Sequence, residues 1–390
     1  MLAQRKHADV SSQAIAPPNR TIAVILSGAY RTLTDCNDTI AKHVIDANPW
    51  ARFEVFAALT ADPATDIERR RMEQAVQFGR ACIAAVSVES NSDVSAAVRR
   101  DAPLLDSLPA GRGTARGKAA NIVKMFRGIG RAWQLLEAHT AQRDRACGNE
   151  SVDAALSPPL SAAALSARRI AARYDLVLRL RPDLCFCGAL DLSQALQRPG
   201  HFWLPWVSSD ARLAFDQLGA GSAAMMSVYA SAYHATAVGD VAARRDLYPE
   251  EVMWRHLATH GDAAAAGRVA RLDGFRASLA RHRADGTERY DDPYGKLRQD
   301  LMHATSLGRP ALAATLPEHH CGRHHHHGGG PRQRYRAATS GAWAASSSSS
   351  FKGRGDHAEC AATQGPVECK RARKAARKAA RSAERAAGGR

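Results

Sequence analysis

The sequence has few cysteines for its length, eight in 390 residues, which excludes a small secreted module built on disulfides. No apolar run comes near the roughly 18 residues that a membrane-spanning helix needs. The longest, 22–26, has only the length of a strand. The first 20 residues lack the apolar central region of a secretory signal. There is no Walker loop, no complete Gly-x-Gly-x-x-Gly and no arrangement suggesting a Ser-His-Asp triad. No unit of about 20–50 residues repeats, so a solenoid is excluded. What is present, 45% apolar and 24% charged residues, is the composition of a folded, soluble chain with a sizeable core. The absence of a leader or anchor gives the cytoplasm as the expected location, with the Golgi as the alternative if the N-terminus is incomplete.

The charge is unevenly spread. The formal net charge is +16, yet residues 317–390 alone carry fifteen Lys/Arg against five Asp/Glu. The preceding 316 residues are only mildly basic. The tail also holds a histidine-rich tract, a serine run at 346–350 and a Lys/Arg/Ala repeat from Lys370. Such sequence buries too little apolar surface to offset chain entropy, so it is expected to be disordered. Its segment 370–390 is a candidate for weak contact with a polyanion. The expected organisation is therefore an arm at 1–20, one α/β domain at 21–316 with an inserted loop at about 141–168, and a low-complexity tail at 317–390.

Within the domain, strand and helix patterns alternate. Short β-branched runs at 22–26, 53–59, 82–88, 174–180, 202–205 and 268–272 predict strands. Helical spacing appears at 33–47, 67–78, 119–139, 220–232 and 250–260, with 101–117 and 141–166 as loops. This alternation predicts an α/β fold with a mostly parallel sheet, whose ligands sit beyond the carboxyl ends of the strands.

Four polar groups fall at such ends. Ser27, Gly28 and Arg31 follow the first strand, where a tight turn, a helix N-terminus and a guanidinium suit an anion; an ordinary turn is the alternative. The run Tyr-Asp-x-Val-x-Arg-x-Arg-Pro-Asp at 174–183 sets Arg179, Arg181 and Asp183 on one strand face and the leucines on the other. Pro182 should end the pairing, leaving Asp183 to bind a divalent metal or to close an ion pair with arginine. Asp216 with Gly221 and Ser222 suits sugar hydroxyls or a plain helix cap. Glu250, after Pro249, suits a helix dipole or a general base. His256 and His260 have the spacing of two metal ligands without a third nearby, and Cys185 and Cys187 read as buried thiols.

The order of these motifs, together with Asn121 and Met125 on the central helix and Leu-Ala-Arg-His-Arg-Ala-Asp-Gly at 279–286, resembles glycosyltransferase-like domains of the lipopolysaccharide-synthesis (WavE) type. It is similar also to uncharacterised algal and land-plant domains of that type. The resemblance spans about 21–286. It implies a GT-A-like, Rossmann-related fold, a nucleotide-sugar donor, a glycan or other hydroxyl acceptor, and a divalent metal (manganese or magnesium) on an acidic motif. By position, Ser27, Gly28 and Arg31 would line the nucleotide, and Arg179, Arg181 and Asp183 the metal and diphosphate. Asp216, Gly221 and Ser222 would face the sugar or acceptor, with Glu250 as base. Where the family has Asp-x-Asp, this chain has Arg181-Pro182-Asp183, with one carboxylate instead of two. A catalytically silent domain that binds sugar or nucleotide is thus one alternative, and a polyanion-binding protein acting through its tail another.

Overall fold

The structure is a computed structural model describing residues 19–63, 65–108, 115–146, 161–208, 213–243, 248–260, 269–273, 275–282 and 288–291. Residues 1–18 of the N-terminal arm, 147–160 of the inserted loop with Cys147 among them, the tail and the Asp285-Gly286 end of the last motif lie outside the described residues, and a helix at Ala162–Ala171 stands where the loop was expected to continue.

The first half contains β1 (Arg20–Ala29), α1 (Leu33–Ile40), β2 (Ala51–Thr60), α2 (Asp66–Gln74), β3 (Cys82–Glu89), α3 (Asn91–Asp101) and α4 (Ala115–Ala146). Then come α5 (Ala162–Ala171), β4 (Leu176–Leu180), β5 (Leu184–Phe186), α6 (Ser193–Gln197), β6 (Phe202–Leu204), β7 (Val207–Ser208) and β8 (Leu213–Ala214). The remainder is β9 (Leu218–Gly221), α7 (Ala223–Ala230), α8 (Val238–Ala242), α9 (Pro249–His260), β10 (Val269–Arg271), β11 (Ala277–His282) and β12 (Glu288–Asp291).

A seven-stranded sheet in the order β10-β6-β9-β4-β1-β2-β3 forms the centre. β9 alone runs against its two neighbours; the other pairings are parallel. The α/β class and the mostly parallel sheet are thus as the alternating pattern predicts. Its inner strands β1, β2 and β4 are buried on both faces, which is why they read as continuous apolar runs, while the edge strands β3 and β10 are only partly buried. Leu26, Leu178 and Leu180 face a core with α1, while Ile25 and Val177 face a second core with α4, α7 and α9. Because β2 and β4 flank β1 on opposite sides, the chain reverses its direction of sheet growth between β1 and β4. A crevice at the carboxyl ends follows from that switch.

Several local predictions need correction. Residues 218–221 form strand β9, not the start of a helix; β4 supplies the pairing, and the α7 helix begins only after Ser222, whose hydroxyl accepts from Met225 N. The central helix is longer than its apolar pattern and absorbs 141–146. α3 lies where no element was expected, its start capped by Ser90.

Neither Cys185 nor Cys187 is a free thiol; both are disulfide-bonded. Cys185 is bonded to Cys36, tying α1 to β5, both residues being fully buried. β5 belongs to a small antiparallel sheet with β11 and β12, so the segment after β4 passes directly from one sheet into another.

Candidate functional site

The reversal between β1 and β4 fixes where polar side chains can meet. Register pairs Ile25 with Arg179 and Leu26 with Leu180, so Ser27 and Arg181 stand side by side at the next step on the α4 side. β9 enters from the other flank, Gly219 opposite Arg179, which lays Asp216 and Gln217 beside Arg181 and Pro182. Period-two alternation along β4 thus presents Arg179 and Arg181 on the face opposite the leucines, as predicted.

Arg179 is fully buried. Its Nη1 donates to the Asp216 carbonyl at 2.6 Å, and that carbonyl also accepts from the Tyr229 hydroxyl at 3.0 Å. Nε and Nη2 of Arg179, Oδ2 of Asp216 and Oγ of Ser27 are buried without a partner among the described residues. Burial lowers the Arg179 pKa, Arg181 adding to the effect while Tyr229, Asp216 and Asp183 oppose it. Burial pushes the Tyr229 hydroxyl up to about 12, so it donates as a neutral phenol.

Arg181 and Asp183 form a closed pair. Nε donates to Oδ1 at 2.8 Å and Nη2 to Oδ2 at 2.7 Å. Burial would lower the Arg181 pKa, but Asp183, with Asp216 and Glu250 beyond it, raises it. Five of the residues singled out in the sequence, Arg179, Arg181, Asp183, Asp216 and Glu250, therefore share one electrostatic neighbourhood. Glu250 reaches it from the first turn of α9.

Gly28 sits at the end of β1 with φ +145, a conformation that L side chains rarely adopt. A Cβ there would lie 2.9 Å from Pro182 Cδ, so this glycine admits the proline of the Arg-Pro-Asp segment. Gly128 of α4 packs beside Ser27, 3.6 Å from its Cβ to an added Cβ. Arg31 lies in the 3-10 turn Tyr30–Thr32, and its side chain is outside the described residues.

Gly221 and Ser222 are not brought to this cluster. Gly221 pairs with Val177 at the other end of β4 and packs against Met225 and the His201 carbonyl. Ser222 caps α7, the plainer of its two readings.

His256 is fully buried and bonded to Thr236, Ser231 and the Val228 carbonyl, which occupies its ring nitrogens. A metal role for it does not fit these contacts. The divalent metal implied by the resemblance fits no better at Asp183. Both oxygens of that carboxylate are taken by Arg181, and no group of three or more His, Cys, Asp or Glu able to hold a metal occurs among the described residues. Hard cations need several oxygen ligands.

Sequence reasoning missed Tyr229, an aromatic in an apolar helix with nothing to mark it. It also missed the rim pair at the end of β3, where Arg127 of α4 grips Glu89 at 2.8 and 2.9 Å and Arg131 stands 3.9 Å away. Only the cationic spacing Lys124, Arg127, Arg131 on one helix could have pointed there.

No family model matches the chain, and no curated protein matches it. Among solved structures, the apo form of mouse xyloside xylosyltransferase 1 is similar at 7% identity and a TM-score of 0.30, over 66% of this chain and 85% of that one.

Proposed function

We propose that the chain binds a nucleotide-sugar at the carboxyl ends of β1 and β4 and transfers the sugar to an acceptor hydroxyl. The observation that supports this reading is the convergence of Arg179, Arg181, Asp183, Asp216 and Glu250 beside the topological switch of the sheet. Buried arginines on a central strand are rare unless an anion or acid justifies them. The WavE-type affiliation rests on the order of sequence motifs alone.

In this reading the acceptor oxygen attacks the anomeric carbon and the nucleoside diphosphate leaves. Arg181 carries positive charge toward the leaving diphosphate, and Arg179 stands beneath it as a fixed second cation. Glu250 is the base that takes the hydroxyl proton. A second reading, a domain that binds the donor without turnover, is favoured by the closed Arg181–Asp183 pair, since a carboxylate held on both oxygens offers neither to a metal that would assist departure of the diphosphate. The test is calorimetric titration of the full chain with UDP-, GDP- and CMP-sugars, followed by assay of nucleotide release with simple glycan acceptors, a nucleoside diphosphate from the first two and CMP from the third. Binding of one donor with release lost in Glu250→Gln supports the transferase. Binding without release supports the silent domain. No binding of any donor overturns both.

A further inference from the structure

We infer that Arg181, clamped by Asp183, takes the place of a divalent cation, so that diphosphate recognition at this site is independent of metal; the identity of the anion rests on the nucleotide-sugar reading above. The Asp183 side chain is 9% exposed and that of Arg181 20%. A guanidinium has five N–H donors, and the side-on grip on Asp183 uses two of them, Nε and one at Nη2. The remaining three, two on Nη1 and one on Nη2, form a planar fork suited to paired phosphate oxygens.

The backbone keeps this arrangement from relaxing toward a metal site. Pro182 is seated against Gly28, leaving no space for a Cβ there. The Asp183 carbonyl accepts from Ala280 N of β11 at 2.9 Å, and Leu184 N donates to the Arg181 carbonyl at 3.3 Å. The Arg-Pro-Asp segment is thus held from both sides, at the junction of the two sheets. To ligate Asp183, a hard cation would have to break two charge-assisted hydrogen bonds and then find its other oxygens elsewhere.

Net charge is not what the site offers. Arg179 and Arg181 face Asp183, Asp216 and Glu250, two cations among three acids. Affinity must come from directed donors on Arg181, and this makes the site selective for a ligand with matching oxygens over anions in general.

The test titrates the full chain with UDP and GDP in EDTA and in excess manganese, and separately follows free manganese by electron paramagnetic resonance. Arg181→Gln and Asp183→Asn are run alongside, each checked for intact folding by thermal unfolding. The expected result is that the better nucleotide binds with dissociation constants within about twofold in the two buffers. Arg181→Gln should weaken it by about tenfold or more, the loss of a charged hydrogen-bonding partner, and Asp183→Asn by less. Nucleotide binding that requires manganese overturns the inference. If neither nucleotide binds in either buffer, the donor reading falls, and inorganic pyrophosphate titrated in the same two buffers decides this one, no binding overturning it. Uptake of manganese by the wild-type chain that disappears in Asp183→Asn overturns the metal-independent site, and uptake that ignores Asp183, or none, supports it.

Discussion

Replacing Gly28 by alanine tests how the end of β1 positions the Arg-Pro-Asp segment. Two costs arise from separate features of the structure. The backbone at φ +145 belongs to a region populated almost only by glycine, and forcing a side chain into it costs about 1–3 kcal/mol. The new methyl would also stand 2.9 Å from Pro182 Cδ and 3.1 Å from Cγ, on a ring held in place by its neighbours, an overpacking cost of about 1–3 kcal/mol. Together they predict a loss of about 2–6 kcal/mol in urea unfolding followed by circular dichroism. Gly219→Ala provides the comparison. Its Cβ would lie 2.9 Å from Phe202 Cζ, but its φ is not in the positive region, so only the packing cost of about 1–3 kcal/mol applies. Pro182→Ala in the Gly28→Ala background should recover the packing part and leave the backbone part. A Gly28→Ala chain within about 0.5 kcal/mol of wild type, the scatter of an ordinary surface change, would refute the reasoning.

Arg179→Met should lower stability by about 3–5 kcal/mol in the same urea assay, since it leaves Arg181 alone among Asp183, Asp216 and Glu250. A chain within about 1 kcal/mol of wild type would show that desolvation of the guanidinium, whose Nε and Nη2 have no partner among the described residues, offsets its interaction with these acids. Glu89 is held below the ordinary carboxylate range chiefly by its hydrogen bonds from Arg127, with Arg131 adding to the effect. The unfolded chain therefore binds the proton first as pH falls, so this contribution is present above about 4.3 and lost through the lowered folded value. Glu89→Gln should show a shallower acid limb, its urea midpoint approaching wild type below about pH 4; parallel curves from pH 6 to 3 would count against the pair.

The strands β1 to β4 were readable because buried parallel strands carry unbroken apolar runs, and the runs differ from the observed strands only at their ends. β9 was not readable. Leu218, Gly219, Ala220 and Gly221 have little intrinsic preference for a strand, and what makes them one is the pairing with β4 and the close packing of Phe202 over Gly219. The same distinction governs the site. Arg179 stands one residue short of the end of β4, and Arg181 and Asp183 follow within three residues of that end, so their proximity is local in sequence. Asp216 and Glu250 reach them through β9 and α9, and tertiary packing of that kind leaves no local trace. Gly221 and Ser222 were drawn in by chemistry that a helix cap shares. The Cys36–Cys185 pairing could not be deduced, because eight cysteines admit 105 complete pairings.

That bridge bears on where the chain matures. Cytosolic thiols are kept reduced, while disulfides form and persist in the secretory lumen, the periplasm and outside the cell. Cys36 and Cys185 are 149 residues apart in sequence and lie with no exposed surface between an early helix and a late strand. A bond so placed is out of reach of solvent in the folded chain. Protein produced in a reducing cytosol would lack the bond that secures the strand leading out of Asp183, and binding measured on such material would describe a different molecule.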